Sequence, residues 1–194
     1  MPVMRTHVAL LRGVNVGKHN RIAMADLREI ATALGLADVT TYVQSGNVVF
    51  TASGTDTATL ASDLERGIAE HSGVRPDVVV LSRDELVRVV ADNPFPEETN
   101  PKCLHVVFHR GDPGPDAAAK VAAAEQRARD KGSRDAGTVV GRNIYLHTPD
   151  GLGRSELAAQ LNRPRSSGNA RTAPAVSTTR NWTTVTNLVT LLSG

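Results

Sequence analysis

Apolar positions along the chain follow two periods, and the switches between them mark out the elements. The run His7-Val-Ala-Leu-Leu-Arg12 is nearly continuous and is stopped by Gly13, which predicts a short strand buried on both faces. Met24, Leu27, Ile30, Ala31 and Leu34 then recur at helical spacing and end at Gly35, a residue suited to a helix C-terminus. Two β-rich runs, residues 39–44 and 48–51, are split by Ser45-Gly46-Asn47, the composition of a tight hairpin. Leu60, Leu64 and Ile68 line one face of a second helix that closes near Gly73, and residues 78–81 are another apolar strand. The resulting order is β-α-β-β-α-β, the ferredoxin-like arrangement.

The second half repeats much of this order. Ser82 with Glu85 spells a capping box and opens a helix carrying Leu86, Val87 and Val90. Residues 93–101 are rich in proline and break regular structure. Residues 104–108 then predict a strand, the alanine-rich residues 116–129 a helix, and residues 138–140 and 144–147 a hairpin around Gly141-Arg142-Asn143. A helix is expected over 153–161. Residues 163–175, rich in Pro, Ser, Gly and Arg, read as a loop, either an ordered lid or a loose connection. Trp182, Val185, Leu188, Val189 and Leu192 define a final amphipathic helix.

The expected fold class is therefore α+β: two ferredoxin-like α/β-plait domains with mainly antiparallel sheets, not a parallel doubly wound sheet. The first domain is placed at residues 1–82, a helix and proline-rich linker at 83–101, and a second plait-like domain with a C-terminal helix at 102–194. The repetition is of element order only, since the halves share no sequence self-similarity.

Composition narrows the class. Apolar residues make up 40% of the 194 and charged residues 22%, which is enough apolar surface to bury a core and excludes a wholly disordered chain. Cys103 stands alone, so neither a disulfide framework nor a multi-cysteine zinc site is available. The N-terminal apolar run, residues 8–11, is too short for a signal-peptide core or a membrane span, and the expectation is a cytoplasmic protein with no membrane partner. Charge is uneven: residues 1–98 hold nine Lys and Arg against thirteen Asp and Glu, and residues 99–194 hold thirteen against seven. In residues 151–194 five arginines, Arg154, Arg163, Arg165, Arg171 and Arg180, face the single acid Glu156. A basic excess raises the weight of a phosphate-bearing partner, but six aromatics in the whole chain are few for a base-stacking surface.

Three polar blocks are candidates for chemistry. The first runs from Arg12 to Arg21 between a strand and a helix and contains Gly13, Asn15, Gly17, Lys18 and Asn20. Its glycines let backbone amides approach an anion, and Arg12, Lys18 and Arg21 add charge. It is no P-loop: three residues separate Gly13 and Gly17 instead of four, and His19 stands where a magnesium-binding Ser or Thr belongs. The second block is Gln44-Ser45-Gly46-Asn47, whose amides and hydroxyl can donate and accept; Ser45 lacks the flanking pattern and partners of a hydrolytic nucleophile. The third comprises Tyr145, Arg154, Ser155, Arg180, Asn181, Trp182 and Thr184, where Asn181 also suits a helix N-cap and Trp182 a hydrophobic anchor. His105 and His109 fall on one face of a strand but ~13 Å apart, too far to share an ion. No metal and no cofactor is expected.

In combination, Ala9-Leu-Leu-Arg-Gly-Val-Asn-Val-Gly17, Thr41-Tyr-Val-Gln-Ser-Gly-Asn-Val-Val-Phe50 and Arg180-Asn-Trp-Thr-Thr-Val185 resemble the bacterial family of unknown function DUF1697, over residues 7 to about 190. The resemblance implies two α/β-plait domains and no established activity, substrate or cofactor. The chain departs from the family's pattern in three places. Lys18 stands where members usually have a second glycine, Glu156 where a lysine usually follows the serine, and Thr183 where many have Asn.

The function expected from the residues is binding of an anionic small ligand, a nucleotide or phosphorylated metabolite, in one cleft joining the three blocks. Binding is expected ahead of catalysis, because no strong base or nucleophile accompanies the blocks. The alternatives are a nucleic-acid-binding protein using the basic second half and strand aromatics Phe108, Tyr145 and Tyr42, and a protein-interaction module without a small ligand. The oligomeric state is not readable from the sequence.

Overall fold

β1 (His7–Arg12) is a middle strand, because its unbroken apolar run has a partner along each edge. In the computed structural model, which describes residues 4–54, 56–162 and 176–194, it is followed by α1 (Met24–Ala33), β2 (Ala37–Tyr42), β3 (Asn47–Thr51), α2 (Thr57–Ser72), β4 (Asp77–Ser82) and α3 (Arg83–Ala91). The strands form an antiparallel sheet in the order β2-β3-β1-β4, with Ala9 between Val48 and Val80. Alternation along the strands sends Ala9, Leu11, Val48, Phe50, Val78 and Val80 into one core with Leu27 and Ile30 of α1 and Leu60, Leu64 and Ile68 of α2. The opposite set, Val8, Leu10, Val49, Val79 and Leu81, is buried as well, so β1, β3 and β4 are covered on both faces.

Local chemistry sets the ends of these helices. Asp56 accepts the Thr59 N–H at 3.0 Å to start α2, and Gly73 at φ 72° ends it. The capping box at α3 is complete: the Ser82 N–H donates to Glu85 Oε2 at 2.8 Å and the Glu85 N–H to Ser82 Oγ at 3.2 Å. The buried side chains of α3 are Leu86 and Val89, one turn apart, whereas Val87 is exposed. Of the apolar residues expected on this helix, Leu86 is buried, Val90 half-buried and Val87 exposed.

The second half contains β5 (Leu104–His109), α4 (Ala117–Arg129), β6 (Ala136–Val140), β7 (Asn143–His147), a 3₁₀ turn at Leu152–Arg154, α5 (Glu156–Leu161), β8 (Ser177–Asn181) and α6 (Trp182–Ser193). Its strands form a second four-stranded antiparallel sheet, ordered β6-β7-β5-β8. Ile144 and Leu146 of β7 pack on Val121, Ala124 and Ala128 of α4 and Leu157 of α5. Gly137 is required at this seam, since a Cβ there would stand 2.9 Å from Val121 Cγ1. The helix expected over 153–161 is divided, because Ser155 caps a new start: its Oγ accepts the Ala158 N–H at 2.9 Å. β8 was not expected, and it completes the second sheet.

The chain separates into two compact units, Met1–Ala91 with Val176–Thr178 and Val185–Gly194, and Asp92–Ala175 with Thr179–Thr184. Relative to the sequence boundaries, α3, Val176–Thr178 and α6 from Val185 onward go with the first unit, and residues 92–101 with the second. The expected lid or loop at 163–175 lies outside the described residues. Among those described, no helix is long and apolar enough to cross a membrane.

Candidate functional site

Between β1 and α1 the backbone enters the left-handed region four times, at Gly13 (φ 79°), Asn15 (54°), Gly17 (62°) and Asn20 (53°). Glycine and asparagine are the residues that reach this region at least cost, which accounts for their spacing here. Asn15 fixes the loop. Its Nδ2 donates to the Ile22 carbonyl at 3.0 Å and the Gln44 carbonyl at 2.9 Å, and its Oδ1 accepts the Ile22 N–H at 2.9 Å. Its own N–H donates to the Asn20 carbonyl at 2.9 Å.

The loop is thereby fastened to the turn between β2 and β3. At that turn Gly46 has φ 79°, and a Cβ would stand 2.6 Å from Val14 Cγ2 and 2.9 Å from Leu11 Cβ. The Leu11 N–H donates to the Gly46 carbonyl at 2.8 Å. Buried Asn47 donates to the Tyr42 carbonyl at 2.9 Å and to Ser45 Oγ at 3.1 Å, which closes the turn on itself. The first two blocks therefore meet in the first unit.

Facing outward are Arg12, Lys18, His19, Asn20, Arg21, Gln44 and Ser45, all exposed. Lys18 and Arg21 make no ion pair or side-chain hydrogen bond among the described residues. Arg12 stands opposite Asp77 in the β1–β4 register, and its Nη1 reaches the Ser177 carbonyl, within the same unit, at 3.4 Å. The backbone N–H groups of Gly17, Lys18 and His19 find no acceptor among the described residues. Repeated hand changes in a backbone with open amides are the geometry of anion-binding concavities. The start of α1 adds little, because Asp26 in its first turn already places negative charge at that end. A shallow depression on α1, lined by Ala25, Arg28, Glu29, Thr32 and Ala33, has its cation committed, since Arg28 Nη1 donates to Thr41 Oγ1 at 2.9 Å.

The third block lies in the second unit. Tyr145 is buried opposite Val106 and Thr138, and burial, with the charge of Asp92 nearby, pushes its phenol up to about 12. Ser155 is buried and donates its hydroxyl to Asp135 Oδ2 at 2.9 Å besides capping α5. Glu156, where the family resemblance led one to expect lysine, is paired with Lys131 and accepts from Gln160 Nε2 at 2.7 Å. Arg180 is buried in β8, its Nη1 donates to the Thr179 carbonyl at 2.9 Å, and burial pulls it down to about 10. Asn181 Oδ1 accepts the Thr184 N–H at 2.8 Å and so caps α6, with Trp182 as its partly buried first residue. Of this block, Arg154 is the exposed cation.

One cluster left no trace in the sequence reading. His147 Nε2 lies 2.7 Å from Glu98 Oε2, and the His147 ring stacks on Phe95 with centroids 5.5 Å apart. The Asn100 backbone N–H and then His147 hold the Glu98 carboxyl below its ordinary value. The partners are 49 residues apart, which gives no spacing pattern to find. Elsewhere, burial pushes His7, His105 and His109 below the usual imidazole value. No cluster of three His, Cys, Asp or Glu among the described residues could hold a metal ion.

Among solved structures, the chain is similar to the conserved bacterial protein SP0830 from Streptococcus pneumoniae. The two share 23% identity over 98% of this chain and 99% of that one, with a TM-score of 0.68, a likeness of fold. No curated protein matches the chain. The sequence model described as "Protein of unknown function (DUF1697)" matches residues 4–145, a span that takes in the loop after β1 and the turn before β3. The protein belongs to the DUF1697 family.

Proposed function

We propose that the protein binds a small anionic ligand, a nucleotide or phosphorylated metabolite, on the face of the first unit built by residues 12–21 and the turn at 44–47. We read each unit as a ferredoxin-like plait and the protein as cytoplasmic. The observation that carries the reading is the Asn15 clasp. It spends one side chain to hold the loop on the turn, and it leaves Lys18 and Arg21 unpaired beside the open amides of residues 17–19. In the third block Ser155 and Asn181 support a fold role, since both bond to helix-start amides. Nucleic acid is the weaker reading, because strand aromatics Phe108 and Tyr145 are buried, and half-buried Tyr42 accepts from Asn187 Nδ2 at 2.7 Å.

The test is calorimetric titration of the whole chain at low salt with pyrophosphate and with a nucleoside diphosphate, compared with a Lys18→Ala/Arg21→Ala variant. Both replaced side chains are exposed, so the melting temperature stays the same while affinity falls tenfold or more, about 1.4 kcal/mol. Equal affinity in the variant would overturn the site. No binding of any anion would turn the reading to a protein-interaction module.

A further inference from the structure

Two hydrophobic side chains on this same loop and turn remain unexplained by an anion. The exposed large hydrophobics among the described residues are Met4, Val16, Val43 and Val87, and two of the four belong to the loop and turn that Asn15 joins. Val16 follows Asn15 and is 68% exposed; Val43 precedes Gln44 and is 49% exposed. Their backbone neighbours are the two ends of the Asn15–Gln44 hydrogen bond, so the valines sit on adjoining turns. Leaving both in water forfeits apolar burial that a partner of suitable shape would recover.

Val43 is unusual in a second way. Its φ is 53°, in the left-handed region, where a β-branched residue is strained. The flip is what ends β2 at Tyr42. Everywhere else in these two segments the same backbone state is held by Gly or Asn, at Gly13, Asn15, Gly17, Asn20 and Gly46. An asparagine would take this turn at lower cost, so the valine serves something other than the turn. Strain of this kind concentrates where side chains meet ligands.

We propose that Val16 and Val43 form the apolar half of the anion site, and that its ligand is an organic phosphate monoester with a flat apolar or aromatic body. The body lies across the two valines, and the phosphoryl oxygens meet Lys18, Arg21 and the amides of residues 17–19. A bare inorganic anion would leave the valines wet, and a neutral apolar compound would leave the cations unused. The inference rests on the anion reading above, and its test separates the two.

The whole chain is titrated at low salt with inorganic phosphate, phenyl phosphate and phenol, as the wild type and as Val16→Ser and Val43→Asn. Asparagine tolerates the φ at position 43, so Val43→Asn keeps the turn and melts at or above the wild-type temperature, which shows that the variant is folded. The wild type binds phenyl phosphate about tenfold more tightly than phosphate, the effect expected when a ring face and two isopropyl groups leave water together. Each variant cuts that preference to threefold or less and leaves phosphate affinity unchanged. Equal affinity of the wild type for the two anions, or a preference that survives both substitutions, overturns the apolar half while the anion site stands. Absence of binding by both anions overturns the anion site and this inference with it.

Discussion

Replacing Asn15 by alanine removes three side-chain hydrogen bonds and leaves a residue at φ 54° that no longer suits it. Two of the bonds, to the Ile22 carbonyl and from the Ile22 N–H, are partly buried, and the third, to the Gln44 carbonyl, is exposed. At about 0.5–1.5 kcal/mol for each net bond, with the exposed one at the low end, their loss costs about 2 kcal/mol. Forcing alanine into the left-handed region adds about 1 kcal/mol. Asn15→Ala is therefore destabilised by about 3 kcal/mol, roughly 6–12 °C in melting temperature for a chain of this size.

Glycine separates the terms. Asn15→Gly takes the backbone conformation without strain, so the hydrogen-bond loss of about 2 kcal/mol remains and the conformational penalty falls away. Denaturant unfolding followed by circular dichroism reads both variants, provided the slope with denaturant is unchanged. Amide exchange gives a local readout: the Ile22 N–H, bonded to Asn15 Oδ1, exchanges faster in both. A variant within 0.5 kcal/mol of wild type, with Ile22 as protected as before, would refute the clasp.

Gly46→Ala is expected to cost about 2–4 kcal/mol, because its Cβ would collide with Val14 and Leu11 as well as sit at φ 79°. Gly54→Ala, at φ 58° with nothing within 4 Å, costs about 1 kcal/mol, and thermal melts giving the reverse order would refute the close-packed turn. Stability falls as pH drops below about 6.5, because the folded state holds His7, His105 and His109 below their ordinary value and the unfolded chain takes up protons first. Glu98 contributes stability that is present above pH 4.5 and lost as the pH falls through its lowered value. In urea midpoints measured against pH, Glu98→Gln flattens only that acid limb; an unchanged limb would refute the His147–Glu98 contact.

What the sequence disclosed about the fold follows from how each element is stabilised. β1, α2 and the strand at β4 announce themselves because their burial is apolar and because Gly13 and Gly73 mark where β1 and α2 end. β8 hides because its buried positions are Thr178 and Arg180, so its alternation is polar in both phases and no hydrophobic period exists to be read. The turn before β3 is legible as a turn, but the strain at Val43 is not, since valine at that place reads as one more strand residue.

The candidate site was legible to the same degree and for a related reason. Residue type nominates Asn, Ser and Thr as ligand contacts, yet these short polar side chains reach their own backbone first, and at turns and helix starts that local bond competes with any outside partner. Asn15, Asn47, Ser155 and Asn181 all resolve in this way, toward the Ile22, Tyr42, Ala158 and Thr184 backbones. Long cations have no such local refuge when the nearby carboxylates are absent or already engaged, so Lys18 and Arg21 stay exposed while Lys131 closes on Glu156. The neutral polar residues of the first unit thus build the surface and the cations give it its sign. Stability variants therefore belong at Asn15 and Gly46, and affinity variants at Lys18 and Arg21.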